Sequence, residues 1–327
     1  MSSSPKGRSP AAMKTSSPKR GSSKRPQSPS GKPAKRPLVM KRKYTNRPSY
    51  VLREDVDNTE FWDRVAPEYD AEILSTIEED VTTTIRKILD ENAQGSKGKP
   101  QLAVDFGCGV GKYLPALSER FSKVIGMDFS AGLLHFARTK TSKLGNVTIP
   151  DAVSLTETAK VLQLVGGAVA DFGVCANVLL SPEVDTQMGI LKTLFACMKP
   201  AGRVFLLVPA LESHVLGLWA VKHGPGKESA ELQAEVKVYN EQISKEDVQN
   251  GIVKRGEEGV RTQHYVKEQI EEMCRMVGFT VERTTRAEYK WNSEYDFESL
   301  SKGGKSLATG FGKLKCGPYD WILVLRK

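Results

Sequence analysis

The sequence predicts an α/β fold, a mainly parallel sheet carrying helices on both of its faces. Three observations lead there. From residue 101 onward, short apolar runs alternate with amphipathic stretches, the rhythm of repeated strand–helix units. A glycine-rich turn, Gly107 to Gly111, stands where the first apolar run hands over to the first such helix. An acid, Asp128, closes the second run.

Order is expected to begin near Thr59, with Asn58 or Thr59 capping a short helix that carries Phe61, Trp62 and Val65. A helix from Ser75 to Leu89 would align Ile77, Val81, Ile85, Ile88 and Leu89 on one face. Gly95 to Pro100 forms a linker. Leu102 to Phe106 is the first strand, and Lys112 to Phe121 the helix after the glycine turn. Lys123 to Met127 is the second strand, followed by a helix from Ala131 to Lys143 with Ser130 as its cap. Val147 to Ile149 forms a brief third strand, Val161 to Val165 a helix, and Val169 to Ala176 a fourth strand. A helix from Val184 to Met198 stops at Pro200-Ala201-Gly202, and Arg203 to Val208 is the fifth strand. Residues 210–260 break the rhythm as helical segments around the turn Gly224 to Gly226. It resumes with a helix from Val266 to Val277, closed by Gly278, and strands at Phe279 to Thr284 and Trp321 to Arg326.

Charge divides the chain. The net charge is +9, but residues 1–50 hold 14 of the 48 Lys and Arg and no acid. The remainder carries 34 basic against 39 acidic residues, so the folded part is mildly acidic and the basicity belongs to a tail. That excludes a basic nucleic-acid-binding domain. Residues 1–58, rich in Ser, Pro, Lys and Arg, are expected to be disordered, because they bury too little apolar surface to offset ordering entropy. Four Ser-Pro steps begin at Ser4, Ser9, Ser17 and Ser28, and Ser17-Pro18-Lys19-Arg20 suits a proline-directed kinase. The clusters Lys35-Arg36 and Lys41-Arg42-Lys43 suit an import receptor or a nucleic-acid contact. Nucleus or cytoplasm is the expected location, with a plastid transit segment the alternative reading of the tail. Five cysteines without a close pair offer no CxxC spacing and fit a reducing compartment. No apolar run reaches the roughly 18 residues that span a bilayer, so no membrane contact is expected.

The chemistry concentrates in residues 104–130. Glycines let the backbone turn sharply and approach a ligand closely, and a helix amino end presents free N–H groups. The spacing is Gly-x-Gly-x-Gly, unlike the Gly-x-Gly-x-x-Gly of a dinucleotide fold. Asp105 stands two positions before the first glycine, where it would repel a pyrophosphate but attract an ammonium group. Asp128 at the end of the second strand is placed to accept hydrogen bonds from ribose hydroxyls, or simply to cap the next helix. Cys108 reads as a small packing residue. Histidines 135, 214, 223 and 264 share no metal-ligand spacing, and no metal is expected.

Val104-Asp105-Phe106-Gly107-Cys108-Gly109-Val110-Gly111-Lys112, followed by Gly126-Met127-Asp128-Phe129, resembles the first motif and acidic segment of class I, Rossmann-like, S-adenosylmethionine-dependent methyltransferases. Further along, Asp171 to Leu179 is similar to the family's fourth strand, and Lys199-Pro200-Ala201-Gly202 to its turn before strand five. Phe61 to Asp70 resembles the preface helix of small-molecule members, and Pro318 to Ile322 the antiparallel seventh strand. The resemblance implies a seven-stranded sheet whose last strand is antiparallel, a methyltransferase domain over residues 59–327, preface helices over 59–92 and a lid-like insertion at 210–260. It implies S-adenosylmethionine as cofactor. Asp105, Gly107, Cys108, Gly109 and Gly111 would hold its methionine side, Asp128 and Phe129 the ribose side, and Asp151 with Ala152 the adenine. Asn177 and Val178 would line the reactive end, and Tyr69 would cover the cofactor unless it and Trp62 are core.

The acceptor is less legible. After the fourth strand stands Asn177-Val178-Leu179-Leu180, without the signature of amino-base methylation, and no Pro-Cys pair offers cytosine chemistry. Glu212, His214 and His264 are the candidate general bases, should one be required. A small-molecule acceptor is the first expectation. A nuclear protein methyltransferase and a cofactor-binding scaffold without turnover are the alternatives.

Overall fold

The computed structural model describes residues 56–69, 74–93, 101–255, 260–295, 297, 300 and 303–327. The Ser-Pro steps and basic clusters of residues 1–50, and the linker Gly95 to Pro100, lie outside them. Seven strands form one sheet: β1 (Leu102–Phe106), β2 (Lys123–Met127), β3 (Val147–Thr148), β4 (Ala170–Ala176), β5 (Met198–Pro209), β8 (Thr280–Glu288) and β9 (Tyr319–Arg326). A separate hairpin joins β6 (Ile252–Arg255) to β7 (Val260–Gln263). The sheet order is β3-β2-β1-β4-β5-β9-β8. The first five strands pair in parallel, and β9 runs antiparallel between β5 and β8. The expected sheet and its antiparallel final strand are both present.

Strands β1, β2, β5 and β9 each feed both faces, as the two-residue period of a strand requires. Val104, Ile125, Leu206 and Leu323 join one core with helix Val184–Cys197 and helix Lys267–Val277. Ala103, Val124, Phe205 and Ile322 join the other with Ile85, Ile88, Leu117 and Leu134. A third cluster stands apart. It joins Ala220, Val221, Leu232 and Val236 of the 210–260 insertion to Trp291, Tyr295, Phe297 and Phe311 from the connection between β8 and β9. The helices of that connection, Trp291–Glu294 and Gly304–Gly312, have no counterpart in the expected element string.

Strand β6 also falls in the stretch 210–260 where helical segments are expected, and three expected elements differ in detail. Residues 75–89 form two helices, Thr76–Glu79 and Thr84–Ala93. Asp80 causes the break: its Oδ2 accepts from the Ile85 N–H at 2.8 Å and its Oδ1 from the Thr82 N–H at 3.0 Å. A short side-chain carboxylate thus competes for backbone amides, ending one helix and capping the next. Val81, expected on the apolar face, is exposed. The helix after the glycine turn is only Leu114–Ser118, because the loop continues to Tyr113 before Pro115 enters the first turn. Finally, β5 starts at Met198, which pairs with Ala170, and turns through Ala201 at φ 62°.

Asp80→Ala should cost about 1–2 kcal/mol of stability, since it removes a cap and leaves the Ile85 amide buried without a partner. A fall in the urea midpoint at unchanged slope would show it.

Candidate active site

β2 and β3 lie to one side of β1, whereas β4 and β5 lie to the other. The carboxyl ends of β1 and β4 therefore flank the point where strand order reverses, the place where open α/β sheets bind ligands. The chain leaving β1 is drawn onto the end of β2: the N–H groups of Gly107 and Cys108 both donate to the Met127 carbonyl, at 2.8 and 2.9 Å. Gly107 and Gly109 hold φ values of 76° and 54°. At Gly107 a Cβ would also lie 2.4 Å from Cγ2 of Val178, and at Gly109 it would lie 3.2 Å from the Tyr69 hydroxyl. At Gly107 conformation and space both demand glycine, whereas at Gly109 the positive φ demands it and Tyr69 adds crowding.

Two buried acids meet at this loop. Asp128 Oδ2 accepts from the Gly109 N–H at 2.9 Å, and Oδ1 from the Ser130 N–H at 3.0 Å. Burial raises the Asp128 carboxyl above its ordinary range, and these backbone N–H groups oppose the shift. Asp105 is 2% exposed, and its Oδ2 has no hydrogen-bond donor. Burial, with the Asp128 charge second, pushes its pKa up to about 8. Burial also drives the Cys108 thiol upward, which makes it an inert packing group.

The cleft has two chambers. The larger, about 230 Å³, runs from Gly107, Gly109, Asp128 and Phe129 past Asn177 and Val178 to Ser154–Thr156 and Ile190. The smaller, about 40 Å³, is lined by Asp105, Cys108, Lys112 and Tyr113. Tyr69, Gly107, Ala176 and Asn177 are common to both walls. Residues 56–69 supply the roof. Trp62 Nε1 donates to the Val56 carbonyl at 2.8 Å, and the Ser181 hydroxyl donates to Asp57 Oδ2 at 2.6 Å. Helix Thr59–Val65 is seated by Asp63, whose Oδ1 accepts from the Ser130 hydroxyl at 2.5 Å and from the Gly132 N–H at 2.8 Å. S-Adenosylmethionine fits these walls. The orphaned Asp105 Oδ2 suits an ammonium group, the glycines admit close backbone approach, and Asp128 suits hydroxyl donors.

Most of the expected residues therefore converge, but some do not. Gly111, at φ 81°, faces Leu114 and Ala137 and serves the packing of the loop. Asp151 and Ala152 stay outside both chambers. Asp151 is fully exposed and pairs with Arg138 at 3.5 Å, because the chain after β3 turns inward only at Val153, whose N–H donates to the Asp128 carbonyl at 2.9 Å. Ser154, Leu155 and Thr156 line the wall in their place. The candidate bases also lie elsewhere. Glu212 is occupied by Trp321 Nε1 at 2.9 Å and the Lys267 N–H at 3.2 Å. His214 packs against Tyr239 and His264, at ring distances of 5.1 and 5.7 Å. None of the three lines either chamber, nor does any described residue of the 210–260 insertion. Sequence reasoning missed Asp57 and Ser181, which sit just before the expected start of order and just after the fourth strand. Among the described residues no group of three His, Cys, Asp or Glu could hold a metal, and no helix is long and apolar enough to cross a membrane.

The profile of a family described as a methyltransferase domain matches residues 77–284. A comparison with curated protein sequences returned no match. Among solved structures, the chain is similar to a SAM-dependent methyltransferase from Anabaena variabilis at 14% identity, over 86% of this chain and 99% of that one, with a TM-score of 0.52. It is also similar to SAM-dependent methyltransferases from Methanosarcina mazei, at 16% identity over 70% and 92% of the two chains with a TM-score of 0.45, and from Aquifex aeolicus, at 14% identity over 81% and 97% with a TM-score of 0.44.

The raised Asp105 carboxyl makes three linked predictions. The folded protein holds a proton there that the unfolded chain gives up, so this group's contribution to stability falls as pH rises from about 4 to about 8. Asp105→Asn should therefore gain thermal stability over the parent across that window, as read by calorimetry at several pH values. The same substitution should weaken S-adenosylmethionine binding by on the order of ten- to a hundredfold. In the parent, affinity should peak near pH 8, because Asp105 must ionise while the ligand's α-amino group, with an ordinary pKa of about 8, must stay charged.

Proposed function

The chain belongs to the methyltransferase-domain family, and we propose that its acceptor is a small molecule. S-Adenosylmethionine is the methyl donor and supplies the activated group, so positioning can account for much of the rate. Asp105 and the Gly107–Gly109 loop hold the donor's amino-acid end, and Asp128 with Phe129 its ribose. Ser154 to Thr156, together with Ile190, form the adenine wall. The observation that carries the small-molecule reading is the roof. Val56, Asp57, Trp62 and Tyr69 close over the strand ends, and the bonds of Asp57 with Ser181 and of Asp63 with Ser130 and Gly132 tie that roof down. An acceptor must fit beneath it, which favours a compact molecule over a folded protein surface.

A second reading, a protein acceptor in the nucleus, is motivated by the basic Ser-Pro tail of residues 1–50. The tail would then serve as an import address or a nucleic-acid contact, and the protein would work in the nucleus rather than the cytoplasm. The insertion at 210–260 shares its apolar core with the β8–β9 connection and none of its described residues lines either chamber, so the roof rather than the insertion covers the cleft.

Incubating the full chain with tritiated S-adenosylmethionine and a cell extract, then fractionating by size, separates the readings. Label is expected in the small-molecule fraction, and label confined to macromolecules would reverse the assignment. Gly109→Arg should abolish transfer and saturable donor binding, since the side chain would occupy the space of the Tyr69 hydroxyl at a φ that disfavours it.

A further inference from the structure

We propose that this enzyme methylates nitrogen, its acceptor being a neutral primary or secondary amine whose N–H is received by the carboxamide oxygen of Asn177. The proposal rests on the methyltransferase reading and narrows it to a substrate class.

Asn177 leaves β4 at its carboxyl end with φ 55°, a left-handed conformation that asparagine tolerates better than most residues. Its N–H donates to the Leu207 carbonyl at 2.8 Å, and the residue belongs to the wall common to both chambers. Behind it stands Asp320, buried on β9. One carboxylate oxygen, Oδ2, accepts from Asn177 Nδ2 at 3.5 Å and from the Tyr289 hydroxyl at 3.0 Å. A carboxylate offers no donor, so it selects the amide nitrogen of Asn177 and turns the amide oxygen the other way. That oxygen, Oδ1, is buried and has no hydrogen-bond donor. An orphaned buried acceptor is costly, and in the wall of a ligand cavity the compensating donor is one the ligand brings.

The acceptor's chemistry follows from what a carboxamide can do. It accepts a hydrogen bond but takes no proton, so it orients a nucleophile without activating it. A hydroxyl acceptor would have to lose its proton during attack, and the group that holds it here is no base. A carboxylate acceptor has no hydrogen to donate and would meet Asp57, Asp105 and Asp128 on the same walls. A neutral amine donates one N–H to Asn177 and keeps its lone pair for the methyl carbon. Its nitrogen forms the new bond to that carbon, the donor's carbon–sulfur bond breaks with the electron pair left on sulfur, and the product ammonium releases one proton to water. Asp320 and Tyr289 are positioning residues in this arrangement.

The test uses the full chain, S-adenosylmethionine with an isotopically labelled methyl, and the small-molecule fraction of a cell extract. The methyl chemical shift of the product distinguishes nitrogen, oxygen, sulfur and carbon attachment. A methyl on nitrogen is expected, and attachment to any other atom overturns the proposal while leaving the methyltransferase reading intact. Donor binding without any transfer would remove that reading and this proposal with it. Asp320→Ala should lower the transfer rate at saturating donor roughly tenfold, with the donor dissociation constant changed less than about twofold. Asp320→Asn should restore most of the rate, because its amide oxygen can still face Nδ2. Should Asp320→Ala lose donor binding, Tyr289→Phe takes its place: a slower rate with binding intact supports the positioning role. An unchanged rate in whichever variant still binds donor overturns it.

Discussion

Two hydrogen bonds to one carboxylate hold the functional end of this molecule together. Asp128 accepts from Gly109 in the loop after β1 and from Ser130 at the start of the next helix. Ser130 in turn accepts from the Leu133 N–H to cap helix Ala131–Thr141, and its hydroxyl donates to Asp63 of the roof helix. Loop, strand end, helix cap and roof thus share a single polar knot beneath an apolar cluster of Phe61, Trp62, Leu133 and Leu180. The knot survives burial because each acid oxygen of Asp128 has a backbone donor.

Asp105 shows the opposite condition. It shares the same loop, but its outer oxygen has no donor, and its neighbour Asp128 adds repulsion to the desolvation that already disfavours its charge. A site that must receive a cationic ligand keeps one acid unsatisfied, and the folded chain bears that destabilisation until the ligand binds. Asn177 presents a second unsatisfied oxygen from the neighbouring strand. Stability and binding pull against each other at these two atoms.

Beyond the sheet, two segments far apart in sequence build a common apolar core. Helix Leu211–His223 contributes Ala220 and Val221, helix Ala230–Gln242 contributes Leu232 and Val236, and the β8–β9 connection contributes Trp291, Tyr295 and Phe311. Neither of these two insertion helices has a strongly periodic apolar face that identifies its partner. Pairing of β8 with β9 next to β5 is what brings the two connections to one side of the molecule.

Local chemistry by itself determined the strands β1 and β2, the capped helices after Asn58 and Ser130, and the glycine loop with its two acids. Each rests on interactions within a few residues: apolar runs, side-chain caps and the φ freedom of glycine. The break at Asp80 was less legible, because Ile77, Ile85 and Leu89 satisfy one continuous helical face and only the competition of a carboxylate for the Thr82 and Ile85 amides divides it. Asp151 is expected at the adenine from the family resemblance alone, but the chain turns inward only at Val153 and brings Ser154 to the wall instead. The roof contact of Asp57 with Ser181, the orientation of Asn177 by Asp320 and the shared third core were decided by tertiary structure alone. These pairs lie 124, 143 and many tens of residues apart, and no local propensity encodes which distant groups a folded sheet will bring within hydrogen-bond reach.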